Sequence, residues 1–282
     1  MNNTPFAFIL ASTLALIASA ASAADKQDRQ PQQPDWQLQA GVGAIYNPAF
    51  VGSKDYQLSA IPLISVKYKD EFFASMFDGI GYNVINSDGW KVGPIVKYDF
   101  GRQEDGKNPF AISGKDTTAL RGLGDVDGTF EVGGFAEYSW EQWSAKVEVR
   151  QGIGGHEGLV GDISANYMND IHSLFYTEDL PIYLSVGPHA KLVSSDYNQA
   201  YFGVSAAQSA RSGLAQYKAD GGLLSYGLDA SLTMPVNDSI STTLFVGYDR
   251  IAGDAADSSL VQKRGSENQV KAGLFVTYSL GY

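Results

Sequence analysis

Apolar and polar side chains alternate along most of the chain from Trp36 to the carboxyl end, in segments about ten residues long. A spacing of two places each apolar set on one face of a β-strand. Clear examples, taken at every second residue, run from Trp36 to Tyr46, from Leu58 to Tyr68, from Leu224 to Met234 and from Val270 to Tyr282. Several sets begin or end in Trp, Tyr or Phe, as expected where strands cross the level of lipid headgroups.

The opposite faces of these predicted strands are polar and charged. A soluble sandwich also has one polar face, but its apolar face is not usually framed by aromatic side chains. Strands of roughly ten residues with an apolar outer and a polar inner face are typical of barrels that span a bilayer. Only closed hydrogen bonding lets β-strands cross hydrocarbon. We therefore predict an all-β fold, an antiparallel transmembrane β-barrel that covers residues 36–282.

The number of strands depends on the Phe72–Ile85 stretch. As a single strand it gives eleven in all, and an odd number would place the long Gly101–Asp127 loop among the short turns. Divided into a hairpin, Phe72–Phe77 and Gly81–Asn86, it gives twelve. We predict twelve strands, with ten as the alternative.

The connections and prolines add two further expectations. Short acidic turns should face the periplasm, and the long loops should face outwards. Because proline removes a donor from the hydrogen-bond ladder, bulges are expected at Pro62, Pro94 and Pro188.

The N-terminus differs from the rest of the chain. Phe6–Ala18 is apolar, and Ala21-Ser22-Ala23 has the small residues of a signal-peptidase site, so residues 1–23 are predicted to be a cleaved signal peptide. Residues 24–35 are polar and rich in proline and glutamine, which predicts a flexible periplasmic tail.

Composition narrows the functional classes. The chain has 282 residues, a formal net charge of −11 and no cysteine. The absence of thiols excludes disulfides and zinc–thiolate sites, and the acidic balance argues against general nucleic-acid binding. Seven bases and seven acids fall on the predicted inward faces, so we expect them to pair and to occlude most of the lumen.

Much of the negative charge falls in the predicted periplasmic turns. We predict there an acidic rim that attracts basic partners. The alternative is that turns favour Asp for its local backbone hydrogen bonds. The rim consists of Asp70, Glu71, Asp88, Glu141, Asp170, Glu178, Asp179 and Asp238, against the single base Lys69.

No motif predicts catalysis. His156-Glu157 lacks the second histidine of a metalloprotease, and Asp125-x-Asp127-Gly128 does not fit a calcium loop. A hydrolytic pair could still form if His156, Asp125 and Asp254 met at the outer rim. We predict a protein that is not an enzyme, with no catalytic, cofactor or metal residues.

Six segments resemble the MltA-interacting protein family (MipA/OmpV) of Gram-negative outer membranes. They occur in family order over essentially the whole mature chain, although Ser259 stands where the family usually has proline. The segments are Asp99–Arg102, Leu120–Asp127, Gly155–Gly158, Tyr201–Ser205, Ser212–Leu214 and Tyr248–Ser258.

The resemblance implies an outer-membrane scaffold that brings a lytic transglycosylase together with a bifunctional murein synthase for cell-wall remodelling. We expect a monomeric barrel in contact with outer-membrane lipid and lipopolysaccharide, with no cofactor and no nucleic acid. The alternative is a surface-exposed envelope-stress or antibiotic sensor, an adhesin or a narrow channel.

Overall fold

The computed structural model describes residues 35–106, 108, 110–114, 117–175 and 181–281. The predicted signal peptide and all of the predicted tail except Asp35 lie outside these residues. The described strands are β1 (Trp36–Pro48), β2 (Tyr56–Tyr68), β3 (Phe72–Ser75), β4 (Gly79–Tyr82), β5 (Ile85–Ser87), β6 (Trp90–Asp99), β7 (Ala111–Gly114), β8 (Thr129–Trp140), β9 (Trp143–Ile153), β10 (Leu159–Asp170), β11 (Tyr183–Val193), β12 (Gly222–Pro235), β13 (Ile240–Ile251) and β14 (Asn268–Gly281).

The strands form a closed antiparallel barrel with twelve positions around its circumference. The order is β1-β14-β13-β12-β11-β10-β9-β8-β6-β4-β3-β2, and β2 pairs with β1 to close the ring. β5 pairs with β6 beyond the end of β4, and β7 pairs with the outer end of β2. The prediction of twelve strands is confirmed, and it depends on the short β3–β4 hairpin that the sequence analysis placed there.

The outer surface of the barrel is apolar and ends in aromatic side chains. Residues such as Val42 and Ile64 are each 60% exposed, although they are strongly hydrophobic, as a lipid-facing surface requires. All four tryptophans lie at the end of the barrel that carries the short turns: Trp36, Trp90, Trp140 and Trp143. Tyrosine and phenylalanine form the aromatic band at the opposite end, with Tyr46, Tyr98 and Phe130 among them.

The expectation of bulges at the prolines is wrong. The β1–β2 register runs through Pro62 without a shift, and the β6–β8 register does the same at Pro94. Register shifts occur instead at Leu58/Ser59 and at Lys191/Leu192.

Each proline lies where one edge of its strand has no ladder partner. Pro62 falls between the part of β2 that pairs with β7 and the part that pairs with β3. Pro94 lies opposite the break between β4 and β5. Pro188 lies where the β10–β11 pairing is interrupted between Ser164 and Tyr167. A missing N–H therefore costs no ladder bond at these positions, and the opposite edge keeps its register.

An apolar layer lies inside the lumen against the neighbouring strands β13, β14, β1 and β2. Ile45, Ile61, Leu63, Phe245 and Phe275 form a buried cluster there, and the two phenylalanine rings stack at 5.8 Å. The rings lie against glycines of the wall. A Cβ on Gly43 would be 2.1 Å from the Phe275 ring, and one on Gly273 would be 2.3 Å from the Phe245 ring. Glycine thus makes room for aromatic side chains inside a narrow barrel.

The long loops fold over the outer mouth as a cap. The cap contains four helices, α1 (Ser195–Phe202), α2 (Ala206–Ser212), α3 (Gly253–Asp257) and α4 (Ser259–Arg264). Side chains from separate loops, among them Phe50, Leu120, Leu214 and Leu260, pack in a shared hydrophobic core. Among the described residues, no helix combines the length and hydrophobicity needed to cross a bilayer.

Arg264 ties the cap loops together. Its guanidinium donates to the carbonyl oxygens of Ala119, Arg121 and Ser212, which belong to two other loops. The segments that carry the family resemblance meet in this cap and at the strand ends beneath it. These stretches are far apart in the sequence, and their residue pattern does not predict a shared core.

Candidate functional site

The short turns bring the predicted acidic rim together at one end of the barrel. Five connections face this end: β2–β3, β5–β6, β8–β9, β10–β11 and β12–β13, and the two ends of the barrel sheet, Trp36 and Gly281, lie there too. Every one of the five carries at least one of the predicted acids. Glu178 and Asp179, in the β10–β11 connection, lie outside the described residues. Because short turns face the periplasm in such barrels, this end is the periplasmic one.

The predicted rim residues differ in how far their charges are already compensated. Asp70 is 2.8 Å from the Lys91 ammonium. Asp170 is half-buried, and its Oδ1 accepts the backbone N–H groups of His172 and Ile182. These two carboxylates therefore have structural partners.

Four carboxylates stay exposed at the turn tips. They are Glu71, Asp88, Glu141 and Asp238. None of them lies within ion-pair distance of a base in the described part of the chain. Glu71 accepts a 3.3 Å hydrogen bond from the Tyr82 hydroxyl, which leaves its charge in place. These four side chains make the ring of uncompensated negative charge that we call the acidic ring.

Backbone geometry accounts for part of the acidic composition. Asp70 and Asp88 have φ of 56° and 53°, in the left-handed region that Asp tolerates better than most residues. Glu141 also has a positive φ, 52°, but glutamate has no special preference for that conformation. A preference of turns for aspartate therefore explains the residue at Asp88, but it does not explain the glutamate at Glu141.

Lys69, the single base of the predicted rim, forms an ion pair outside the acidic ring. The Lys69 ammonium is 3.4 Å from the Asp35 carboxylate. Interaction with the Tyr68 hydroxyl and with Asp35 raises the pKa of Lys69 above its ordinary value, so it remains charged at neutral pH. Its charge is directed at Asp35 and leaves the acidic ring uncompensated.

Toward the outer end of the lumen, one ion-pair network links the neighbouring strands β6, β8, β9 and β10 around Arg150. The Arg150 side chain is fully buried and reaches three carboxylates: Glu131 at 2.8 Å, Asp162 at 2.5 Å and Glu148. Glu148 also pairs with Lys97 and Lys146, each at 2.7 Å. The predicted pairing of inward charges is confirmed in this network.

A second network links the neighbouring strands β11, β12, β13 and β14 around Lys271. Its ammonium is 2.9 Å from Asp229 and 3.4 Å from Asp249. His189 bridges the same two carboxylates, with Nδ1 3.2 Å from Asp229 and Nε2 2.6 Å from Asp249. Together with the apolar layer, the two networks occupy much of the lumen, and a cavity lined by Lys67, Glu137 and Lys146 remains in its periplasmic half.

One cluster has ligand types that a metal ion could use. Single ligand atoms of Asp99, Glu131 and His156 lie within 4.8 Å of one another, and all three residues are buried. Both carboxylate oxygens of Glu131 and one of Asp99 already have protein partners, however. His156 Nδ1 accepts the Gly158 N–H, so Nε2 carries the proton and faces Glu131 at 3.2 Å. The arrangement works as a hydrogen-bonded link between the network and the cap.

The sequence gives no sign of this cluster, because His156-Glu157 lacks the second histidine of a metal-binding motif. His156 lies in the connection between β9 and β10, but its side chain is buried and faces Glu131. The Asp125 Oδ1 accepts the Glu104 N–H and orders the long loop. Asp254 binds the Asp220 N–H. These contacts give Asp125 and Asp254 structural roles apart from His156.

Comparison with known proteins now identifies the family. A sequence profile described as MltA-interacting protein MipA matches residues 40–280. The chain belongs to the MipA family. The match covers nearly the whole barrel and cap, so the resemblance seen in six short segments is confirmed.

MipA-family relatives carry names that agree with the fold. The chain is 24% identical over 235 residues to YiaT of Escherichia coli K12, which is named as an outer membrane protein; the match covers 82% of this chain and 87% of YiaT. It is 39% identical over 87 residues to the outer membrane protein Omp26La of Vibrio anguillarum, covering 30% and 31% of the two chains. The protein is an outer-membrane β-barrel.

Solved barrels are more distant in sequence. The NanC porin is 10% identical, with a TM-score of 0.38 over 86% of this chain and 100% of the porin. An outer-membrane channel of Pseudomonas putida F1 is 11% identical, with a TM-score of 0.38 over 90% of this chain and 98% of the channel.

Proposed function

We propose that this MipA-family barrel is a monomeric, non-catalytic scaffold that docks periplasmic murein enzymes, a lytic transglycosylase and a bifunctional murein synthase, for cell-wall remodelling. The observation that carries the proposal is the acidic ring of Glu71, Asp88, Glu141 and Asp238. The name of the family, MltA-interacting protein, supports the choice of partner.

The ring suits the capture of a basic protein surface. Its carboxylates come from four separate hairpins, so the negative potential extends around the barrel mouth and is not confined to one edge. A potential of this kind speeds the encounter with a basic partner and orients it. Of the other predicted rim residues, Asp70 and Asp170 lie at the same end with their charges partly compensated.

The side-chain interactions inside the lumen favour a docking platform over a channel. An open pore needs a continuous water path, whereas this lumen holds two ion-pair networks and an apolar layer between its ends. The paired charges also leave little net field along the lumen to select ions.

The experiment neutralises the ring without changing side-chain size: Glu71→Gln, Asp88→Asn, Glu141→Gln and Asp238→Asn in one full-length protein. The matched control carries four amide substitutions at exposed acids of the outer end: Asp127→Asn, Glu157→Gln, Asp196→Asn and Asp257→Asn. Both proteins are purified in detergent, and association with the lytic transglycosylase and with the murein synthase is followed by surface plasmon resonance.

We expect the ring variant to associate about tenfold more slowly at 50 mM salt, and the control to match the wild type. At 1 M salt, where the Debye length is about 3 Å, the difference should disappear. Equal association of the ring variant and the wild type at low salt would exclude the ring as the docking site. Absence of any binding by the wild type would exclude the scaffold function.

A further inference from the structure

A pocket lies beneath the cap, at the outer mouth of the barrel. The free space within it is about 610 Å³, a figure that includes the part open to solvent, so a ligand bound here would extend into the outer mouth. The lining combines apolar and aromatic groups with a few polar ones. It includes Asn47, Phe50, Arg102, Leu120, Tyr197 and Tyr201.

Arg102 places a positive charge in the wall of this pocket. The residue is 7% exposed, and its Nη1 donates to the Tyr201 carbonyl oxygen. The guanidinium also lies 5.8 Å from the centre of the Tyr201 ring. No carboxylate lies within ion-pair distance of it among the described residues, and its Nε has no hydrogen-bond partner there. Burial lowers the pKa of Arg102 to about 10, so the group is still charged at neutral pH.

Arg264, in the same cap, is an arginine with a structural role and can be compared with Arg102. It donates to three carbonyl oxygens on two other loops, and so holds them together. Arg102 has one carbonyl acceptor although it is more deeply buried. A buried guanidinium with unmet donors is unfavourable unless something else binds it.

The pocket offers a second unmatched polar atom. The Asn47 Nδ2 donates to the Pro48 carbonyl oxygen at 2.9 Å, but the buried Asn47 Oδ1 accepts no hydrogen bond from the described residues. The pocket thus presents an anion-binding donor on Arg102 and a neutral acceptor on Asn47, beside the rings of Phe50 and Tyr197. Asp99, which also lines the pocket, is a further acceptor; its Oδ1 accepts the Gly101 N–H at 2.7 Å.

We propose that this pocket binds a small organic carboxylate with an apolar ring and a hydrogen-bond donor. The Arg102 guanidinium holds the carboxylate, because a planar guanidinium matches its two oxygens. Asn47 Oδ1 and Asp99 accept from the hydroxyl or similar donor, and the aromatic rings cover the apolar body. Such a ligand would reach the site from outside the cell and would not involve the acidic ring.

The test uses the full-length barrel in detergent and a matched pair of probes, 4-hydroxybenzoate and 4-hydroxybenzamide, which differ in the charged group. Binding is measured by saturation-transfer NMR and by calorimetry. We expect the carboxylate to bind at least ten times more tightly than the amide. Equal affinities, or no binding of the carboxylate up to about 10 mM, a concentration at which even a weak fragment registers, would overturn the proposal.

Two variants locate the binding. Arg102→Met should lower the affinity for 4-hydroxybenzoate at least tenfold. Arg121→Met, which removes an exposed cap arginine outside the pocket, should leave it unchanged. Unchanged binding by Arg102→Met would overturn the assignment.

Stability separates a binding role from a structural one. A binding role for Arg102 predicts that the unliganded Arg102→Met protein is as resistant to heat as the wild type or more so, because a buried charge has been removed. A lower unfolding temperature, together with equal affinity of the wild type for both probes, would assign Arg102 to the cap structure.

Discussion

Arg150 offers the sharpest test of how the lumen is held together. Its guanidinium contacts Glu131, Glu148 and Asp162 at once, which no other base in the described part of the chain does. We consider Arg150→Met, which keeps an unbranched side chain about as long as the aliphatic part of arginine and removes the charge and the donors.

The expected loss follows from what each carboxylate retains. Glu148 would keep Lys97 and Lys146, and Asp162 would keep Lys191 at 2.9 Å. Glu131 would keep only His156, at 3.2 Å. One buried carboxylate is therefore left without a permanent cation, and breaking a buried pair in this way costs about 3–5 kcal/mol. Removing that carboxylate as well, in Arg150→Met with Glu131→Gln, should restore about 2 kcal/mol.

The free energy of unfolding can be measured by urea titration in lipid vesicles. The tryptophans at the periplasmic end report the folded barrel by fluorescence, and the shift between heated and unheated bands on a gel gives an independent signal. The wild type, both single variants and the double variant form a double-mutant cycle. If Arg150→Met unfolds at the wild-type urea concentration, or if the double variant is as unstable as the sum of the single ones, the network does not stabilise the barrel as we reason.

Two further predictions concern the apolar layer and the cap. Phe275→Ala should destabilise the barrel by about 3–5 kcal/mol, because the buried ring packs against Phe245 and Phe77. The same change should raise conductance in planar bilayers. The control Val276→Ala, which alters a lipid-facing side chain, should not raise it. Arg264→Met should expose the cap loops to protease added to intact cells, because three hydrogen bonds between loops are lost. Lys263→Met, at the exposed neighbouring position, should leave the cap resistant. Equal cleavage of the two variants would contradict the role given to Arg264.

The barrel was predictable because its signal is local and repeated. A period of two along each strand fixes which side chains face lipid, and parity of the connections fixed the short hairpin between Phe72 and Tyr82. Inward charges could be predicted to pair because an isolated charge in a narrow lumen is unfavourable. Which acid meets which base could not be predicted, because strand register and barrel shear decide that.

The prolines and the cap show where sequence reasoning reached its limit. A proline can be accommodated either by a β-bulge or by a gap in the pairing with one neighbouring strand. The sequence cannot tell these apart, because the difference depends on where the neighbouring strands end. The cap is built from contacts between loops far apart in sequence, such as Arg264 with Ala119. Arg102 carried no motif of its own. A single arginine in a loop is expected to be exposed to solvent, and only the fold shows that Arg102 is buried against Tyr201.

The uneven placement of the tryptophans has a consequence for how the protein sits in its bilayer. Indole rings settle at the boundary between acyl chains and headgroups, and here all four reach that boundary in the inner leaflet. The depth of the barrel in the membrane is therefore set at the inner, phospholipid leaflet. When the bilayer thickens or thins, the adjustment falls on the tyrosine-lined outer end, so the height of the cap above the surface varies while the hairpin tips keep a constant distance from the inner headgroups. A partner with a fixed reach from the cell wall would always find those tips at the same level.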